Sequence, residues 1–106
     1  MTNTATELRE QIKRLREILS LNNNPGANPS ALHSLGIVSN AIAGIDPEAG
    51  SKTRELMDIA SKFYDAEKWK RSKDSPEALY SRMSFEILGW LDTRANIHEH
   101  FGAKDA

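Results

Sequence analysis

The sequence has 106 residues, 39% hydrophobic and 27% charged, and its 14 basic and 15 acidic side chains leave a formal net charge of -1. That balance excludes bulk attraction to nucleic acid or an anionic membrane, and the length suits one helical domain over residues 1–106. The absence of cysteine excludes disulfide frameworks, thiolate metal sites and cysteine nucleophiles, and fits a reducing compartment, the cytoplasm.

Residues 1–10 lack the basic start and apolar run of a secretory signal, and no stretch approaches the ~18 consecutive apolar residues of a membrane span. The chain is therefore expected to begin near Met1 and to work away from membranes.

Helical periodicity runs through the whole sequence. Leu8, Ile12, Leu15 and Leu19 share one stripe at ~100° per residue, which predicts a first helix over residues 4–21. Thr4 with Glu7 reads as a capping box. Asn22 to Pro29, "NNNPGANP", then breaks the helix. Ser30 is the expected cap of a second helix whose stripe is Ala31, Leu35, Val38, Ile42 and Ile45. Asp46, Pro47 and Glu48 supply the cap, first residue and acidic first turn of a third, with Leu56, Ile59, Ala60, Phe63 and Ala66 inward. Ser75 caps a fourth, which carries Leu79, Met83, Ile87, Trp90, Leu91, Ile97 and Phe101 and stops at Gly102. Four helices with short connections predict an all-α protein, a compact four-helix up-and-down antiparallel bundle. Leu15, Leu35, Ile42, Phe63, Met83 and Trp90 are the expected core.

Two features depart from a plain amphipathic pattern. From Ile18 to Ile45 there is no Asp, Glu, Lys or Arg, and a helix uncharged all round is usually covered all round. Phe85 and Leu88 project roughly 120 to 160° from the stripe of the fourth helix, and Trp69 lies off the stripe of the third. These three residues are the expected interaction surface, for a protein partner or a second copy in a homodimer. The bland alternative is that single exposed apolar residues need no partner.

His33 lies about 160° from Leu35 on the helical wheel and so points away from the core. The string His33, Ser34, Leu35, Gly36 resembles the histidine phosphotransfer domains, four-helix bundles whose motif reads His-x-x-Lys-Gly. The glycine stands one position early and the lysine is missing. The resemblance implies a phosphate carrier at His33; the simpler reading is a surface histidine.

The string "NIHEHFG", Asn96 to Gly102, places His98 and His100 ~200° apart on a helix, which does not suit one metal ion, so no metal or other cofactor is expected. Imidazoles in a last helical turn complement the free carbonyls there. In "EKWKRSKD", Lys68, Lys70, Arg71 and Lys73 surround Trp69, the interleaving by which single-stranded nucleic acid is held. A solvated helix end is the favoured reading, with nucleic acid as the alternative.

Arg94 falls within the apolar stripe of the fourth helix and needs a partner. An acid such as Asp58 or Glu55 is expected to pair with it, with a bound anion as the functional alternative. No Ser-His-acid set, glycine-rich phosphate loop or paired carboxylates can be assembled. The expectation is a non-catalytic interaction or adaptor module, with His33 phosphotransfer second and nucleic-acid binding third.

Overall fold

In the computed structural model, which describes residues 3–101, every regular element is helical. α1 spans Thr4–Leu21, α2 Pro29–Ile45 and α3 Pro47–Phe63. A single turn, α4 (Lys68–Arg71), precedes α5 (Pro76–Ser81), which passes through a π-helical segment at Arg82–Ile87 into α6 (Leu88–Phe101). No described helix is long and apolar enough to cross a membrane. The expected stop at Gly102 lies outside the described residues.

Asparagine and aspartate begin the three long helices. Asn3, not Thr4, caps α1 by accepting the Thr6 amide at 2.8 Å. Asn28, not Ser30, caps α2 by accepting the Ala31 amide at 3.1 Å, with Pro29 in the first turn. The pair repeats the Asp46-Pro47 start of α3, where Asp46 accepts the Glu48 amide. Proline suits that place because it has no N–H to leave unbonded.

The loop after α1 is stitched to the far end of α3. Gly26 and Asn28 donate their amides to the carbonyls of Phe63 and Tyr64, and the Gly26 φ of 121° suits glycine. Tyr64 donates its hydroxyl to Asn22 O at 2.6 Å, and Tyr80 donates to Leu19 O at 2.8 Å. Carbonyls at the end of α1, where a helix runs out of its own donors, thus accept from side chains of distant parts of the chain, Leu19 O in addition to the Asn22 amide.

α1 packs against α2 and α6, and α2 against α3, which also meets the last helical run. Leu8, Ile12, Leu15 and Leu19 of α1 bury against Leu35, Ile42, Leu56, Phe63, Leu79, Met83 and Leu91. α2 and α3 approach so closely that a Cβ on Gly50 would stand 2.7 Å from Ala43 Cβ. α3 ends at Phe63, so Ala66 lies beyond the helix and is exposed.

The π-helical segment corrects the expected face of the last helix. A π turn takes i→i+5 bonding and absorbs one extra residue, so everything beyond it falls about 100° behind the uninterrupted pattern. Leu79, Met83, Leu88, Leu91 and Ala95 then align, and all are buried. Leu88, expected on a second face, is core at 1% exposure, whereas Trp90, expected in the core, is 36% exposed. Ile97 and Phe101 turn outward with it.

Candidate functional site

The extra residue also makes a surface. Between the carboxyl end of α1 and the π-helical segment lies an open groove of about 680 Å³. Leu19 and Leu88 form its buried floor and Tyr80 part of its wall. Leu21, 84% exposed, and Phe85, 75% exposed, stand on its rims. Two polar groups of the wall are engaged internally, Tyr80 by Leu19 O and Ser84 Oγ by Tyr80 O at 2.9 Å, while Glu17 and Ser20 also line it. Arg16, at one end, is held by Asp92 of α6 through two hydrogen bonds. What remains facing outward is mainly hydrocarbon.

The expected trio of Phe85, Leu88 and Trp69 does not form one surface. Phe85 is a rim, Leu88 is the floor beneath it, and Trp69 sits apart on α4, half-buried against the core. Its Nε1 is buried with no hydrogen-bond partner among the described residues. Leu21 was not singled out by periodicity. Its signal was positional, a large apolar residue in the last turn before the asparagine-rich breaker.

No family model, curated protein or solved structure matches the chain.

The remaining candidates occupy other places. His33 is exposed on α2, a helix with no Lys or Arg of its own. Gly36 is turned toward α3, where a Cβ would meet the Met57 methyl at 4.0 Å, so that glycine does not open the surface beside His33. Lys70 lies 3.9 Å from Glu67 and over the Trp69 ring. Lys68, Arg71 and Lys73 instead line a cleft with Lys62 of α3. These cations do not close α3, as expected, but belong to the separate turn α4 and the segment after it.

Arg94 pairs with neither Asp58 nor Glu55. Its Nε donates to Asp46 Oδ2 at 2.6 Å, and its Nη1 lies 3.1 Å from Glu48 Oε2. Glu55 is taken by Lys52 at 2.8 Å. His98, one turn beyond Arg94 on the same face, donates from Nε2 to Asp46 Oδ2 at 2.7 Å. Burial by itself would raise the Asp46 carboxyl. The hydrogen bonds from Arg94, His98 and the Glu48 amide outweigh it and hold the group at about 2. The result is a satisfied ion-pair cluster tying α6 to the start of α3. Among the described residues no three His, Asp or Glu side chains converge as metal ligands.

Proposed function

We propose that the protein is a non-catalytic interaction module, a four-helix up-and-down antiparallel bundle with α4 as an added turn, which self-associates in the cytoplasm as a two-fold homodimer. The observation that carries this reading is the adjacency of Phe85 and Leu21, both largely exposed, to the groove they border. A knob beside a hole is a self-complementary surface, because a two-fold axis sends the knob of each copy into the hole of the other. The uncharged course from Ile18 to Ile45 supplies part of the same neighbourhood through Leu19 and Leu21. The absence of cysteine suits the compartment.

Covering the rims and floor removes apolar surface from water at about 25 cal/mol per Å², from which the cost of association is subtracted. The test is sedimentation equilibrium over a concentration series. Wild type should pass from monomer to dimer with rising concentration, and Phe85→Glu should remain monomeric with unchanged helix content, since Phe85 lies outside the core. A wild type that stays monomeric at high micromolar concentration, or a Phe85→Glu variant that still dimerises, would overturn the proposal. Leu88→Glu is no substitute, because it places a charge in the core.

A further inference from the structure

We propose that the cleft formed by Lys62, Lys68, Arg71 and Lys73 is a binding site for a compact polyphosphate, either inorganic or the triphosphate tail of a nucleotide. The cleft is open, encloses about 480 Å³, and draws its walls from the last turn of α3, from α4 and from the segment that follows. Ser72 and Asp74 complete it. Four cations thus face one carboxylate, an excess that a single carboxylate ligand would not neutralise and a triphosphate would.

It is the shared cleft together with the lack of ion pairs that sets these cations apart, since Lys13, Arg14 and Arg54 likewise lie outside the ion pairs of the described residues. Arg9, Arg16, Lys52, Lys70, Arg82 and Arg94 each lie within an ion pair. Among the described residues none of Lys62, Lys68, Arg71 or Lys73 does so. Two nearby acids have partners outside the cluster. Asp74 Oδ2 faces Arg82 at 3.5 Å, and Asp65 Oδ1 accepts the amides of Glu67 and Lys68, each at 2.9 Å. Asp65 also attracts Lys68 and Arg71, but the four clustered cations outnumber it and Asp74, and a bound anion relieves their mutual repulsion.

The same turn argues against stacked bases. Base stacking needs an open aromatic face, whereas Trp69 is packed against the core with its Nε1 buried, and Lys70 lies over its ring at 5.5 Å. What is offered outward is cationic heads on aliphatic stems rather than an open ring, and Arg71 can meet phosphate oxygens with two N–H groups at once.

The test is isothermal titration of the full chain at low salt with inorganic tripolyphosphate, ATP, AMP and oligodeoxythymidine. Saturable binding of tripolyphosphate is expected, weakening as salt rises. The Lys62→Gln/Arg71→Gln variant should lose at least about tenfold in affinity, the scale of one charge-assisted hydrogen bond. Lys13→Gln/Arg14→Gln, which removes two cations of α1 away from the cleft, should bind like wild type. ATP binding as tightly as tripolyphosphate assigns the nucleotide tail, and weaker ATP binding assigns the inorganic anion. The proposal is overturned if tripolyphosphate does not saturate, if AMP binds equally well, or if the α1 variant loses as much as the cleft variant. Tighter binding of oligodeoxythymidine with a change in Trp69 fluorescence also overturns it, in favour of a nucleic-acid surface.

Discussion

Asp46, 3% exposed at the start of α3, accepts a 2.6 Å hydrogen bond from Arg94, which lies 48 residues later on α6. Removing the arginine leaves a buried carboxylate with only His98 and the Glu48 amide to hold it. Arg94→Ala should therefore cost about 2 to 4 kcal/mol in urea unfolding. An Asp46→Asn/Arg94→Ala double variant should lose less than the sum of the single changes, since the two residues act as a pair.

Acid should read out the same pair. The Asp46 carboxyl lies at about 2 against an ordinary 3.8, so the folded state holds the charged form more firmly than the unfolded chain does. Its contribution is complete above the unfolded value and is lost as pH falls through about 2. Between about pH 5 and pH 2, wild type should lose about 2 kcal/mol more stability than Asp46→Asn. Parallel acid curves for the two proteins would show that the carboxylate is not held in this way.

The π-helical segment behaves as a register device. Deleting Phe85, an exposed residue within it, should let the run close as a regular α-helix with Leu79, Met83, Leu88 and Leu91 still aligned, at a cost within about 1 kcal/mol. Deleting Thr93, also exposed but in regular α-helix, rotates Arg94, Ala95 and His98 by about 100° away from their partners. Thermal melts should find the first variant folded and the second severely destabilised.

Two glycines should respond with opposite signs. At Gly50 a Cβ would lie 2.7 and 2.8 Å from Cβ and Cα of Ala43, so Gly50→Ala forces α2 and α3 apart, at about 1 to 3 kcal/mol. At Gly44 nothing lies within 4 Å of that position, and Gly44→Ala, within α2, should stabilise by about 0.5 to 1 kcal/mol. Guanidinium midpoints moving in the same direction for both would contradict the close helix crossing.

Tyr64 offers an alkaline counterpart. Burial, with a smaller effect from Tyr80, pushes its phenol well above the ordinary range, so the folded protein favours the neutral form. Stability should hold below about pH 10 and decline above it as the unfolded chain ionises first. Tyr64→Phe, which orphans Asn22 O, should cost about 1 to 2 kcal/mol at neutral pH and flatten that decline.

α1, α2 and α3 were legible because their apolar spacing is uninterrupted and their ends carry asparagine, aspartate and proline; the errors at Thr4 and Ser30 came from choosing among adjacent capping residues. The last helix was half legible. Its pattern up to Met83 follows a 3.6-residue period, but the phase slip at Arg82–Ile87 is set by packing against α1 and α3, and no residue type announces a π turn. Leu88 and Trp90 exchanged roles for that one reason. Asp46 was read correctly as a cap, but its second role was hidden, because its partners lie on a helix whose phase had been misjudged. Likewise Lys62 could not be joined to Lys68, Arg71 and Lys73 until the chain was seen to leave α3 at Phe63 and turn back.

The hydroxyls that complete the end of α1 belong to Tyr64 and Tyr80, and Leu79, Met83 and Leu91, which cover its apolar stripe, are later still or nearly so. In synthesis, α1 and the uncharged stretch from Ile18 to Ile45 are made before any of these residues. That stretch has no charged residues to discourage contact with other nascent chains. Until α3 and the last helices are added, the stripe of α1 and that uncharged stretch lack this cover, and the earliest vulnerability of this polypeptide lies in its own manufacture.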